Sequence, residues 1–101
     1  MKIVTGPRAS GKTTELIRIA NEDNHHLAVH TEARKSQIED HYEDVENSIV
    51  TYAELFENGL RGELNKTVLI DDLDMFLQKA ADGFGIEGFS ITSTEVTDLN
   101  D

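Results

Sequence analysis

The sequence predicts a single small α/β domain, built on a roughly five-stranded parallel sheet with helices on both faces. Three observations lead there. β-prone runs alternate with helical patterns along the whole chain, and strands that alternate with helices form parallel sheets through right-handed crossovers. A glycine-rich segment, Gly6 to Thr13, joins the first β-prone run to the first helical pattern. The length, 101 residues, suits one sheet and a few helices, and neither a repeat nor a linker divides the chain.

The elements follow in order. Lys2-Ile3-Val4-Thr5 is a short strand, and Lys12 to about Ala20 is a helix with Leu16, Ile17 and Ala20 on one side. Asn21-Glu22-Asp23-Asn24 breaks it, and His26 to His30 forms a second strand. Ala33 to Asn47 is polar and acidic, with only Ile38, Tyr42 and Val45 at helical spacing, so a weakly amphipathic helix is expected. Ser48 to Thr51 is a third strand, and Tyr52 to Asn58 a short helix stopped by Gly59. Thr67 to Asp71 is the strongest strand signal, followed by a helix from Asp72 to Ala81 that ends at Asp82-Gly83. A last strand is expected at Phe89-Ser90-Ile91-Thr92, which closes a domain over residues 1–94 and leaves 95–101 as a flexible acidic tail.

Composition excludes several functions. The chain has no cysteine, which removes disulfides, thiolate zinc sites and cysteine nucleophiles. No long apolar span and no leader-like segment is seen, so a cytoplasmic protein without membrane contact is expected. The net charge is −11, and of nine Lys and Arg only Arg34 and Lys35 are adjacent. A broad nucleic-acid surface needs clustered cations, so none is expected. Solubility or a salty cytoplasm accounts for the acidity. His25, His26, His30 and His41 lack a metal-ligand spacing.

Residues 6–13, Gly-Pro-Arg-Ala-Ser-Gly-Lys-Thr, match the G-x-x-x-x-G-K-[ST] pattern of a phosphate-binding P-loop. The context matters as much as the match, because the chemistry needs a strand, a glycine-rich turn and a helix N-terminus. Backbone N–H groups of Gly6, Pro7, Arg8, Ala9, Ser10, Gly11, Lys12, Thr13 and Thr14 (proline lacking its own) form the phosphate cradle, aided by the helix dipole. Lys12 reaches the β- and γ-phosphates, and the Thr13 hydroxyl is placed to ligate Mg²⁺. ATP or another nucleoside triphosphate and Mg²⁺ are therefore the expected ligands. Arg8, inside the loop, has two readings, a phosphate contact or a solvated side chain.

A second signature is Val68-Leu69-Ile70-Asp71-Asp72, a β-prone run ending in two acids, of Walker B type. The strand carries Asp71 to its C-terminal end, where open α/β sheets bind ligands. Asp71 is assigned to Mg²⁺, with a helix cap as its other reading; Asp72 is assigned to polarising the attacking water, with a cap or first-turn acid as the alternative. Asp74 reads as a first-turn acid. In Ile91-Thr92-Ser93-Thr94, Thr92 or Thr94 is a candidate γ-phosphate sensor, against plain strand-end chemistry. Arg61 is a candidate finger for a neighbouring subunit, and otherwise a solvated loop arginine.

These residues carry resemblances. Gly6 to Arg18 resembles the P-loop segment of the zinc-containing thymidine kinases over thirteen residues; those enzymes carry a cysteine-held zinc and a lasso loop, and their acid pair is usually Asp-Glu. Val68 to Leu77 is similar to the Walker B region of bacterial replication initiators and related AAA+ ATPases, which add a helical lid. Ile49 to Tyr52, a short helix and the acid pair together are similar to the ATPase lobe of helicases. The chain thus resembles a stripped-down P-loop NTPase core of the kind small phage genomes encode, which would imply a host cytoplasm.

Three functions stay open in that reading. They are a Mg²⁺-dependent ATPase coupled to a partner or to nucleic-acid processing, a non-catalytic nucleotide-binding regulatory module, and a nucleoside or nucleotide kinase. The expected strand order is residues 2–5, 89–92, 67–71, then 26–30 and 49–51. It leaves residues 2–5 as an edge, which implies a second copy or a larger protein partner there, or direct pairing with 67–71.

Overall fold

A computed structural model describes residues 1–7, 9–42, 45, 48–58, 67–92 and 95–99. The strands are β1 (Lys2–Thr5), β2 (His26–Val29), β3 (Ile49–Thr51), β4 (Val68–Ile70) and β5 (Glu95–Asp98). The helices are α1 (Lys12–Asp23), α2 (Glu32–His41), α3 (Tyr52–Asn58) and α4 (Leu73–Ala81). Every strand pairing is parallel. The protein is a small α/β domain.

The central sheet has the order β3-β2-β4. Its residues alternate between two faces, as strand geometry demands. Leu27, Val29, Ile49 and Leu69 meet Leu16, Ile17 and Ile38 of α1 and α2 on one face. Ala28, Val50 and Ile70 meet Tyr52, Leu55, Met75 and Phe76 of α3 and α4 on the other. Helices therefore cover both faces, and all four residues of β2 are buried between them, the environment that suits a continuous apolar run.

The sheet is not one layer of five strands. β1 pairs with β5 in a separate two-stranded sheet, while β4 pairs with β2. The expected strand at 89–92 does not form; those residues are described without regular structure, and Phe89 and Ile91 are exposed. The strand lies instead at Glu95–Asp98, inside the segment expected as a flexible tail. Its register explains the choice. Glu95 stands opposite Lys2, the β-branched Val96 and Thr97 stand opposite Ile3 and Val4, and the Leu99 N–H extends the ladder to the Thr5 carbonyl at 2.8 Å. Opposite charges and β-branched pairs favour such a pairing. The segment before it carries Gly83, Gly85 and Gly88, each of which weakens a strand. With β5 in place, one neighbour of β1 comes from within the chain.

Helix limits differ from expectation as well. α1 runs three residues past the expected Ala20 and stops where Asn24 turns left-handed at φ 60°. α2 ends at His41, not Asn47, because Tyr42 is extended at φ −116° and ψ 111°. α3 begins with a reciprocal cap: Thr51 Oγ1 accepts from the Glu54 N–H at 3.1 Å, and the Glu54 carboxylate accepts from the Thr51 N–H at 3.2 Å.

Candidate functional site

The loop between β1 and α1 is held tightly by its own residues. A side chain at Gly6 would collide with the Ser10 hydroxyl and press on Leu99, so it would force Ser10 to shift. Gly11, at φ 93°, caps α1 in the left-handed region that glycine alone enters without cost. Gly11, as the N-cap, brings no side chain to the first turn of α1. Ser10 Oγ is buried and has no hydrogen-bond partner among the described residues. Lys12 folds back over the loop, and its ammonium donates to the Gly6 carbonyl at 2.7 Å and the Pro7 carbonyl at 2.6 Å.

Across from the loop, β4 delivers Asp71. The Asp71 N–H donates to the Ala28 carbonyl at 3.0 Å, which continues the β2–β4 ladder by one residue. Its carboxylate is buried and accepts from the Thr13 hydroxyl at 3.2 and 3.3 Å. Thr13 and Asp71 are 58 residues apart in sequence. The helix-cap reading of Asp71 is thereby set aside, since the N-cap position of α4 belongs to Asp72. Burial and the neighbouring Asp72 carboxylate push the Asp71 carboxyl above the usual range, while the Thr13 hydrogen bond, Arg34 and Lys12 oppose the shift.

Asp72 has a different setting. It is left-handed at φ 58°, exposed, and its side chain makes no cap hydrogen bond. Its carbonyl accepts from the Met75 and Phe76 N–H groups, which start α4. The strained turn is pinned from below by Tyr52, whose fully buried hydroxyl donates to the Asp71 carbonyl and, at 3.0 Å, to the Asp72 carbonyl. Asp74 lies in the first turn of α4 and is exposed.

No known protein family, curated protein or solved structure matches the chain. The geometry of the site therefore carries its reading alone.

Several expected residues converge. Gly6, Pro7, Ala9, Ser10, Gly11, Lys12, Thr13 and Thr14 form one loop and helix start, and Asp71 meets them. Thr92 does not. It is exposed, in the segment without regular structure, because the strand that would have carried it is replaced by β5. Arg8, Arg61, Gly59 and Thr94 lie outside the described residues. Three contributors were not anticipated from the sequence. Arg34, in the first turn of α2, donates from Nη2 to Thr13 Oγ1 at 3.1 Å and stands 4.0 Å from Asp71 Oδ2. Tyr52, the start of a short helix in the sequence, supports the acidic turn, and Tyr42, noted there only for its helical spacing, shares a hydrogen bond of 3.1 Å with Thr14 Oγ1.

The donor set suits a hard divalent ion. Thr13 Oγ1 and the Asp71 carboxylate are oxygen donors side by side, and Mg²⁺ is commonly bound by one or two protein oxygens completed by phosphates and waters. Among the described residues no group of three or more His, Asp or Glu gathers as a self-sufficient metal cage. None of the described helices is long and apolar enough to cross a membrane.

Proposed function

We propose that this chain is a P-loop NTPase core which binds a nucleoside triphosphate, ATP as the working choice, with Mg²⁺ and hydrolyses it. The observation that carries the reading is the pairing of Thr13 with the buried Asp71, from two distant motifs that predict adjacent roles. The loop supports it as well. Ser10 has a buried hydroxyl free of described partners, and Lys12 is parked on two loop carbonyls that an arriving phosphate can outcompete by charge. When bound, Mg²⁺ would be held by Thr13 and Asp71 and would supply charge neutralisation to the phosphate oxygens.

The chain's own residues then divide the work. The loop backbone and Lys12 bind the phosphates and orient the terminal one. Asp72, exposed next to Asp71 in the chain and held through its backbone by Tyr52, orients the water whose oxygen attacks the terminal phosphorus. The bond to the bridging oxygen breaks, and nucleoside diphosphate and inorganic phosphate leave. Coupling to a partner at the β1 edge, or to a second copy, belongs to the same proposal.

A second reading, a non-catalytic nucleotide-binding module, is favoured by one observation. Asp72 is open to water and its side chain makes no cap hydrogen bond, whereas a water-activating carboxylate works best in a closed site. Phosphate release from Mg-ATP separates the two. Lys12→Ala is expected to weaken triphosphate binding about 100-fold, the loss of one strong charge-assisted contact. Asp72→Asn is expected to bind as the wild type does and to lose turnover. Binding without release in folded wild type would select the module. A kinase would reveal itself by labelled monophosphate when nucleosides are added, above the Lys12→Ala background.

A further inference from the structure

We propose that Arg34 is an internal arginine that stands as the resident cation beside the Thr13–Asp71 pair, and that it passes to the terminal phosphate when the magnesium–nucleotide complex enters. The inference rests on the nucleotide-binding reading above for its second half; the first half stands on the geometry alone.

Three observations define the position. Arg34 Nη2 donates to Thr13 Oγ1, and the same nitrogen lies 4.0 Å from Asp71 Oδ2. The Thr13 hydroxyl donates in turn to Asp71, which orders the three groups as Arg34 to Thr13 to Asp71. The Asp71 carboxylate is buried, while the Arg34 side chain is 39% exposed. A buried carboxylate needs a compensating charge, and a guanidinium supplies it here without a metal. A divalent ion that used both Thr13 and Asp71 would sit beside that guanidinium, and the repulsion would favour its departure.

The chain gives Arg34 somewhere to go. Thr31 caps α2 by accepting from the Arg34 backbone N–H at 3.1 Å, so the backbone beneath the side chain is anchored. The long side chain above it is 39% exposed, and among the described residues its Nη1 makes one contact, at 3.5 Å with Gln37. Lys12 leaves the Gly6 and Pro7 carbonyls for the phosphates, and Arg34 leaves Thr13 for the terminal one. A triphosphate brings the charge that draws it. Planar guanidinium donors match phosphate oxygens in pairs, and a triphosphate adds a third phosphate, with its oxygens and charge, that a diphosphate lacks. Arg34 therefore distinguishes the two nucleotides and excludes free metal from the empty site.

The test uses the full chain and two probes. Mn²⁺ alone, followed by its paramagnetic resonance signal without nucleotide, is expected to bind Arg34→Gln at least tenfold more tightly than wild type, and the gain is expected to vanish in Arg34→Gln with Asp71→Asn. Equal Mn²⁺ affinity in wild type and Arg34→Gln overturns the occupancy. Titration calorimetry with Mg-ATP and Mg-ADP reads the transfer. Arg34→Gln is expected to lose about tenfold for the triphosphate and less than twofold for the diphosphate, with partial recovery in Arg34→Lys. Equal losses overturn the transfer. A wild type that binds neither nucleotide overturns the proposed function together with the transfer, and the Mn²⁺ comparison still decides the occupancy.

Discussion

β2 and β5 are both four-residue parallel strands, yet every residue of β2 is buried and every residue of β5 is exposed. The difference shows what holds this domain together. A hydrogen-bonded ladder exchanges water partners for protein partners and gains little net free energy. Burial of apolar side chains on two faces stabilises far more. β2 has α1 and α2 on one side and α3 and α4 on the other, whereas Val96 of β5 remains 63% exposed beside β1. Stability is consequently uneven across the fold. The candidate site straddles that boundary: its loop hangs from β1, while Asp71 and Asp72 extend β4 and Arg34 follows β2. The Thr13–Asp71 bond ties the two regions together.

The sharpest way to break this comparison is a pair of truncations. Leu27→Ala removes a side chain that is 1% exposed and is expected to cost about 2–5 kcal/mol. Val96→Ala is expected to stay within about 0.5 kcal/mol, as surface changes do. Urea unfolding of both variants measures the gap, and equal costs would mean that β5 is as firmly packed as β2.

A smaller effect is expected at the seam between core and site. Tyr52→Phe keeps the edge-on contact with Phe76 at 5.2 Å but removes the hydroxyl under the Asp71–Asp72 turn. The loss is expected to be about 1 kcal/mol, read from the same urea curves, with turnover reduced because Asp72 loses its support. A Tyr52→Phe variant as stable as wild type would show that the turn holds itself.

The smallest effect is a dependence on pH. The Asp71 carboxyl is raised in the fold, chiefly by burial, so the folded protein holds that proton more readily than the unfolded chain. Its contribution to stability is greatest below the ordinary carboxylate range. It declines as pH rises through the interval up to the raised value, and is constant above it. Asp71→Asn removes that decline. Melting temperatures across the acid range are expected to show the variant gaining on wild type as pH rises to neutrality. A constant difference between the two would mean that Thr13 and Arg34 fully offset the cost of burial.

Much of this was legible along the chain, and for identifiable reasons. The β-branched and apolar runs at 26–30, 49–51 and 67–71 became strands because their composition suits burial on both faces. The Gly6–Thr13 spacing marked its loop because a side chain at Gly6 would crowd Ser10 and Leu99, and Gly11 holds a positive φ that glycine takes without strain. At residues 89–99 the reading failed. Phe89 and Ile91 are apolar at strand spacing, but a strand needs a partner, and Lys2 with Thr5 offered better partners to Glu95–Leu99. Composition alone does not rank two candidate partners.

The sequence by itself determined the α/β class, the glycine-shaped loop and the acid pair that follows an apolar strand, because each depends on local backbone geometry or on the period of apolar residues. Tertiary structure alone decided that β5 joins β1, that Tyr52 supports the acidic turn and that Arg34 reaches Thr13 and Asp71. Those contacts join residues far apart in the chain, and their energies depend on burial and on the charges around them. No spacing along one strand or helix encodes that.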